Sequence, residues 1–288
     1  MRIRKAVIPA AGLGTRLLPA TKATPKEMLP LADKPSIQYI IEEAVASGIE
    51  HVIVITSRTK RIIEDHFDSS PELERMLEQK GDYTTLDALR KIEDMAQVTF
   101  TRQPSPRGLG HAILQAKDLV GDEPFGVMLP DDLVDNGKPC LQQLMEVYDK
   151  YEGSVLAVMH VPRAHVSRYG IIGGKEIGPR TWEVQSTVEK PPVGREPSDL
   201  AIVGRYILTP EIFGILENTA PGRGNEVQLT DAIDALLGEQ QVYAYEFTGT
   251  RYDTGDKLGW LTTSVAYALK RPDLAEGMKQ FLRSLDLS

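Results

Sequence analysis

A turn that contains two glycines lies close to basic residues in the first part of the chain. Residues 10–16 include Gly12 and Gly14 and end at Arg16, and Lys26 follows in a short segment between two prolines. Glycine lets backbone N–H groups approach a ligand closely, and a guanidinium or ammonium group can neutralise phosphate oxygens. The segment therefore predicts a site for a phosphorylated ligand. A structural turn flanked by solvated cations is the alternative.

Two common phosphate-binding motifs are incomplete in this turn. A dinucleotide fingerprint requires a third glycine where Leu17 stands, and a P-loop requires a Gly-Lys-Ser/Thr sequence that the segment lacks. The missing glycine disfavours a nicotinamide-dependent oxidoreductase.

An acidic pair follows an apolar run further along the chain. Asp131 and Asp132 come directly after Pro130, at the end of a predicted buried strand over residues 125–129. Ligands of open α/β sheets bind at the carboxyl ends of the strands, so both carboxylates are candidates for the site. The alternative is an aspartate that only caps a turn.

The balance of charge limits the class of ligand. The 288 residues include 33 Lys and Arg and 41 Asp and Glu, a net charge of −8. Such a chain is a poor candidate for binding nucleic acid or an anionic membrane. Residues 1–34 nevertheless hold seven basic and two acidic residues, which indicates a small polyanion as ligand unless the surface charge clusters by chance.

Cysteine content and hydropathy indicate the cellular compartment. The single cysteine, Cys140, cannot form an internal disulfide and excludes cysteine-based zinc sites. It fits a reducing compartment, and the sequence lacks a run of about 18 apolar residues that would predict a transmembrane helix. We therefore expect a cytoplasmic protein.

Hydrophobic patterning predicts the elements that position these residues. In the first half, strands over 5–9, 51–56, 98–102 and 125–129 alternate with helical spacing at 37–45 and 109–120, and the polar stretch 57–96 is interpreted as helices outside the sheet. In the second half, strands are predicted at 155–161, 181–189, 201–208 and 242–247, and helices near 228–237 and 257–269.

This order predicts one α/β domain over residues 1–288. Strand–helix alternation favours a Rossmann-like, mostly parallel central sheet flanked by helices on both faces, with extra strands and a helical segment at 271–288. No internal repeat or low-complexity linker separates the two halves.

A series of motifs resembles the nucleotidyltransferases that activate sugar 1-phosphates. They occur in the family's order at residues 10–16, 22–30, 108–112, 129–131, 169–171, 188–191, 224–231 and 252–255. The resemblance covers nearly the whole chain and is closest to the bacterial branch that uses UTP and glucose 1-phosphate. It implies that residues 1–134 mainly bind nucleotide, that residues 135–270 mainly bind sugar phosphate, and that the protein forms a homodimer or homotetramer.

The resemblance also implies a reaction and a set of catalytic residues. An oxygen of glucose 1-phosphate would attack the α-phosphorus of UTP in line, giving UDP-glucose and pyrophosphate in a Mg²⁺-dependent step. Asp131 and Asp253 would be the metal ligands, with Asp132 as a competitor of Asp131. Arg16, Lys26 and Lys190 would complete the catalytic group.

Further residues are assigned to substrate binding by the same resemblance. The nucleotide-binding residues would be Ala10, Ala11, Gly12, Gly14, Glu27, Gln103 and Gly108. The sugar-phosphate-binding residues would be Gly170, Glu189, Lys190, Val203 and Gly204. Without the resemblance, Gln103 would be an ordinary strand-end residue and the adjacent Glu189 and Lys190 a solvated pair.

Two alternatives keep the same fold. A relative that uses dTTP would share the mechanism, although residues 24–30 and the stretch 57–96 resemble the uridylyl branch more. A non-catalytic sensor of nucleotide sugars would be expected to lack the carboxylates and cations that are all present here. His111 is interpreted as structural because a phosphate nucleophile is already ionised at pH 7 and needs no base.

Overall fold

A nine-stranded sheet forms the centre of the molecule. The computed structural model describes residues 2–135 and 137–286. The strands are β1 (Lys5–Pro9), β2 (Pro30–Leu31), β3 (Lys34–Pro35), β4 (His51–Thr56), β5 (Gln97–Arg102), β6 (Phe125–Met128), β7 (Asp132–Asp135), β8 (Ser154–His160), β9 (Gly170–Gly178), β10 (Thr181–Glu189), β11 (Leu200–Leu208), β12 (Val242–Glu246) and β13 (Thr250–Asp253). The order in the large sheet is β5-β4-β1-β6-β11-β8-β12-β10-β9.

Helices cover this sheet and extend beyond it. They are α1 (Ser36–Ala46), α2 (Arg61–Phe67), α3 (Pro71–Lys80), α4 (Tyr83–Glu93), α5 (Leu109–Leu114), α6 (Lys117–Val120), α7 (Cys140–Tyr151), α8 (Glu211–Asn218), α9 (Leu229–Leu236), α10 (Lys257–Lys270) and α11 (Ala275–Ser284). The polar stretch 57–96 is helical as predicted, and so is most of the predicted tail, whose residues 287 and 288 lie outside the described residues. No helix in the described ranges has the length and apolar character needed to cross a membrane.

The predicted α/β fold is confirmed, but the sheet is parallel throughout only in its first half and is mixed in its second half, where β8 and β12 form a parallel pair. Strands β5, β4, β1 and β6 are parallel neighbours. Strand β11 then pairs antiparallel with both β6 and β8, and β10 pairs antiparallel with β9 and β12. Only two residues join β9 to β10, which is enough for an antiparallel hairpin and too short for a parallel crossover.

The sheet is buried on both faces, as the apolar runs predicted. Along β1, Val7 packs with α5, α8 and α9, whereas Ala6 and Ile8 pack with α1 and α7 on the opposite face. Successive side chains of a strand point to opposite faces, so each run fills two separate cores. The carboxyl ends of β1, β4, β5 and β6 remain at one edge and carry the loops that form the site.

A two-stranded ribbon outside the large sheet was not predicted. Strands β7 and β13 pair antiparallel, and the register places Asp253 opposite Asp132. The ribbon brings a segment from near residue 250 against the end of β6, because β7 starts directly after the loop that follows β6.

Candidate active site

A cleft of about 810 Å³ opens at the carboxyl ends of the parallel strands and continues along β10 and β11. Most of the residues proposed from the sequence line it: Ala11, Gly12, Arg16, Lys26, Glu27, Gln103, Gly108, Asp131, Gly170, Glu189, Lys190, Val203, Gly204 and Asp253. Residues that lie up to about 240 positions apart in the chain are therefore brought into one site.

Ala10 and Gly14 shape the turn without lining the cleft. Ala10 is fully buried, its N–H donates to the carbonyl of Ile55 at 2.8 Å, and its own carbonyl accepts from Lys60 at 2.6 Å. Gly14 has a φ of +66°, and a Cβ there would lie 3.3 Å from the Cβ of Lys26. Glycine thus lets the turn take a left-handed conformation and pack closely against the segment that carries Lys26.

Lys26 and Asp131 form an ion pair at the centre of the cleft. Lys26 Nζ lies 2.6 Å from Asp131 Oδ2, and both side chains are partly buried. Burial opposes ionisation of Asp131, but the charges of Lys26 and Arg16 lower the pKa of this carboxyl below its ordinary value. Asp131 is therefore an anion at neutral pH, adjacent to the exposed Arg16.

Asp132 is directed away from this pair. Its Oδ2 accepts from the N–H of Gly204 at 2.9 Å, and its carboxylate forms an ion pair with Arg251. Burial raises the pKa of Asp132, an effect that Arg251 only partly offsets. Both acceptor oxygens of Asp132 thus serve the fold, which favours Asp131 as the carboxylate that meets a ligand.

Asp131 and Asp253 converge on the space left by a missing side chain. A Cβ on Gly255 would lie 2.9 Å from Asp253 Oδ1, 3.3 Å from Asp131 Oδ2 and 3.5 Å from Arg16 Nη1. Glycine therefore keeps open a small volume that two carboxylate oxygens and one guanidinium border. The Gly255 N–H donates to Asp253 Oδ1 at 2.8 Å and holds that carboxylate in place.

This donor set fits a hard divalent cation whose coordination is completed by substrate. No group of three or more His, Cys, Asp or Glu side chains suited to a metal ion occurs in the described part of the chain. Two carboxylates with phosphate oxygens and water are a common ligand set for Mg²⁺. Asp131 and Asp253 are the residues that would hold such an ion.

A buried ion pair borders the cleft beside the glycine turn. Glu27 is 1% exposed, and its Oε2 lies 2.8 Å from Lys60 Nζ. Lys60 was not predicted as a site residue, since it belongs to the polar stretch 57–96 and no motif marks it. A lysine four residues after the end of a buried strand was the only signal in the sequence.

Gln103 is oriented by its neighbours. Its amide nitrogen donates to the carbonyl of Gly108 at 3.0 Å and lies 3.0 Å from Nδ1 of His111. Burial, together with the nearby Arg107, lowers the pKa of His111, so the imidazole is neutral at pH 7 and accepts from the amide. This contact agrees with the structural interpretation of His111.

The other end of the cleft carries a second Glu–Lys pair. Lys190 Nζ lies 2.8 Å from Glu189 Oε1, and the hydroxyl of Thr230 donates to Glu189 Oε2 at 2.7 Å. A Cβ on Gly170 would lie 2.8 Å from the Thr230 hydroxyl, so glycine is required for this approach. Thr230 belongs to the motif at 224–231 but was not assigned a role from the sequence.

Arg251 links the carboxylates to the end of the cleft that carries Glu189 and Lys190. Its guanidinium forms an ion pair with Asp132, lies 3.1 Å from Asp253 Oδ2, and sits 5.4 Å from the centre of the Tyr169 ring. Gly204 packs against the same carboxylate, since a Cβ there would lie 2.6 Å from Asp132 Oδ2. Arg251 was also missed, because its partners are distant in the sequence.

Comparison with known proteins assigns this architecture to a class. Residues 5–268 match the family model described as nucleotidyl transferase. The chain belongs to the nucleotidyl transferase family and is therefore a nucleotidyltransferase enzyme. Members of this family generally use a divalent metal.

Individual similar proteins have more specific names than the family. A Staphylococcus epidermidis protein named UTP–glucose-1-phosphate uridylyltransferase is 52% identical over 286 residues, covering 99% of each chain. The UTP-bound UGPase from Acinetobacter baumannii superimposes with a TM-score of 0.93 at 42% identity over 99% of this chain and 100% of its own. A UDP-glucose pyrophosphorylase in complex with UDP-glucose gives 0.86 at 44% identity, over 94% of this chain and 100% of its own.

Proposed function

We propose that this chain transfers a uridylyl group from UTP to glucose 1-phosphate, giving UDP-glucose and pyrophosphate. The observation that carries the proposal is the arrangement of charge in one cleft. The glycine turn with Arg16 and Lys26 lies on one side of Asp131 and Asp253, and Lys190 with Glu189 lies on the other. Two anionic substrates can therefore bind at opposite ends and meet at the carboxylates.

The reaction needs positioning and charge neutralisation rather than a protein nucleophile. A phosphate oxygen of the sugar attacks the α-phosphorus of UTP in line, the bond to the β-phosphate oxygen breaks, and pyrophosphate leaves with the electron pair. Arg16 and Lys26 neutralise charge on the triphosphate, and Lys26 is held in place by Asp131. Lys190 binds the sugar phosphate, while Glu189 accepts hydrogen bonds from sugar hydroxyls.

Mg²⁺ is the divalent ion proposed for Asp131 and Asp253, because carboxylate, phosphate and water oxygens are its preferred ligands. When bound, it supplies positive charge to the reacting phosphates. The open space at Gly255 supports this assignment. The carboxylates themselves hold their orientation through Lys26 and through the Gly255 N–H.

Uracil is the base that we assign to the buried end of the cleft. Glu27 and Gln103 offer a carboxylate and an amide to the polar edge of the base, and the backbone of residues 10–12 with Gly108 forms the adjacent wall. Sugar binding is completed by the backbone around Gly170, Val203 and Gly204.

The proposed setting is the cytoplasm, with a homodimer or homotetramer as the assembly. The single cysteine, Cys140, is buried, which is compatible with a reducing compartment. Exposed apolar side chains on α10 and α11, Leu258, Leu261 and Phe281, support self-association.

Release of pyrophosphate from glucose 1-phosphate tests the proposal, with UTP or dTTP as co-substrate and with or without Mg²⁺. We expect metal-dependent release with UTP and little with dTTP. A preference for dTTP would replace uridylyl by thymidylyl transfer and retain the mechanism. Binding of UTP without turnover of either nucleotide would instead support a sensor.

A further inference from the structure

The ion pair of Lys60 and Glu27 joins three separate segments beside the cleft. Lys60 follows β4, Glu27 lies in the helical turn Lys26–Met28, and Ala10 follows β1. Lys60 Nζ donates to Glu27 Oε2 at 2.8 Å and to the carbonyl of Ala10 at 2.6 Å. The lysine is only 5% exposed, so its charge is compensated by these two contacts rather than by water.

The two carboxylate oxygens of Glu27 differ in their contacts. Glu27 Oε2 is occupied by Lys60, whereas Glu27 Oε1 is buried and has no hydrogen-bond partner among the described residues. Glu27 also lines the cleft. A buried carboxylate oxygen without a donor is unfavourable, and the cost is recovered when a ligand brings an N–H or O–H group to it.

The donor that fits this end of the cleft belongs to a nucleobase. Uracil presents an N–H at ring position 3 between two carbonyl groups, whereas cytosine has at the same position a bare nitrogen that accepts hydrogen bonds. An ionised carboxylate can only accept. It therefore pairs with the imide N–H of uracil and repels the lone pair of cytosine.

We propose that Lys60 is a positioning residue that makes Glu27 a reader of the imide N–H and so selects uracil over cytosine. The inference rests on the proposed function and extends it to a residue outside every motif of the site. Lys60 fixes one carboxylate oxygen through the ion pair and leaves the second oxygen for the base. It makes no contact with substrate itself.

Removal of the ammonium group would release the side chain of Glu27. Lys60 Nζ holds Glu27 Oε2 at 2.8 Å, and without this contact the side chain no longer presents Oε1 as a fixed acceptor. The imide N–H of uracil then loses its partner, and a carboxylate that can turn away no longer opposes the bare nitrogen of cytosine. Loss of Lys60 is therefore expected to weaken UTP binding and to allow CTP.

The test compares Lys60→Met with Lys60→Arg and with a matched control, Lys5→Met. Lys5 also donates to a backbone carbonyl, that of Val120 at 2.8 Å, and pairs with a carboxylate, Glu123 at 3.2 Å. Glu123 does not line the cleft, whereas Glu27 does. For each variant, kcat and KM are measured with UTP and with CTP, together with thermal stability.

We expect the ratio of kcat/KM for UTP over CTP to fall at least about tenfold in Lys60→Met, mostly through KM. Lys60→Arg is expected to retain the ratio, and Lys5→Met to lose stability with the ratio unchanged. An unchanged ratio in Lys60→Met, in an enzyme that uses UTP, would overturn the role of Lys60 and leave the proposed function intact. If the wild-type protein does not use UTP at all, the proposed function fails first.

Two further measurements apply if Lys60→Met does not fold. Lys60→Gln retains a donor for the Ala10 carbonyl without the charge, and the same fall in the ratio is expected. In the wild-type protein, UTP methylated at ring position 3 lacks the donor and is expected to bind at least about tenfold more weakly than UTP. Equal binding of the methylated and natural nucleotides would contradict the proposal without any variant.

Discussion

The two ends of the cleft each carry a Glu–Lys pair with the same N–O distance of 2.8 Å, in very different surroundings. At the end proposed to bind nucleotide, the side chains of Lys60 and Glu27 are 6% and 1% exposed. At the end proposed to bind sugar phosphate, those of Lys190 and Glu189 are 38% and 12% exposed. One pair is enclosed by the fold, and the other faces the solvent-filled cleft.

This difference separates a fixed contact from an exchangeable one. Loss of one partner of a buried ion pair costs about 3–5 kcal/mol, whereas an exposed pair contributes about 0–1 kcal/mol. Lys190 can therefore leave Glu189 for a phosphate group at little cost. Lys60 cannot leave Glu27 without exposing an uncompensated charge, so the nucleotide end is rigid and suited to discrimination between bases.

The comparison assumes that both ends of the cleft serve one reaction. A substitution of Asp131 is expected to have the largest effect and is the strongest test of that assumption. Asp131→Asn removes the charge that lies between the two ends and is expected to reduce kcat by about 10²–10³-fold with the fold retained. The matched variant is Asp132→Asn, which loses the ion pair with Arg251 and is expected to lower thermal stability more and kcat less. Kinetics and thermal unfolding of both variants distinguish the two aspartates, and the reverse pattern would assign the catalytic role to Asp132.

Lys190 tests the exchangeable pair. Lys190→Ala is expected to raise KM for glucose 1-phosphate about 10–100-fold, because a charge-assisted contact with phosphate is lost. The KM for UTP should change little, and Lys190→Arg should recover most of the loss. An equal rise in KM for both substrates would show that the two ends are not separate.

Gly170 tests whether the exposed pair also depends on close packing. A Cβ at Gly170 would lie 2.8 Å from the Thr230 hydroxyl and would displace it from Glu189. We expect Gly170→Ala to raise KM for glucose 1-phosphate several-fold. Gly178→Ala on the same strand is the control, since the nearest atom to its Cβ, the Tyr151 hydroxyl, is 3.8 Å away. Equal effects of the two variants would remove packing as the cause.

The smallest expected effect concerns pH at the nucleotide end. Burial lowers the pKa of His111, so the unfolded chain binds the proton more tightly than the folded protein does. As the pH falls below the ordinary histidine pKa of about 6.5, protonation of the unfolded chain lowers the free energy of unfolding. This loss continues until the pH reaches the lower pKa of His111 in the folded protein. We expect the free energy of unfolding to fall less between pH 7.5 and pH 5 in His111→Gln than in the wild-type protein. Parallel curves would show that His111 is not responsible.

The elements that carry long apolar runs were predictable. The strands at 51–56 and 181–189 have the predicted bounds. The first is an unbroken run of Val and Ile between His51 and Thr56, and the second is rich in β-branched residues and contains Trp182. The ribbon of β7 and β13 was missed because each strand has four residues with an acid at its end, and its partner lies more than 100 positions away. Local patterns do not contain such long-range pairing.

The residues of the candidate site also differ in whether local sequence could predict them. Arg16, Asp131, Glu189 and Lys190 occur in short motifs, and all four line the cleft. Lys60 and Arg251 owe their position to buried partners from other segments, and charged residues in a polar stretch are ordinarily solvated. Their burial is a property of the tertiary fold.

The central claim is that two bound anions react directly, with no covalent intermediate on the protein. The most direct test starts from a single diastereomer of UTP that carries sulfur on the α-phosphorus. The configuration at that phosphorus is then determined in the UDP-glucose product. One in-line displacement predicts inversion of configuration. Retention would require two displacements through a uridylyl group bound to a protein nucleophile, and it would contradict the account.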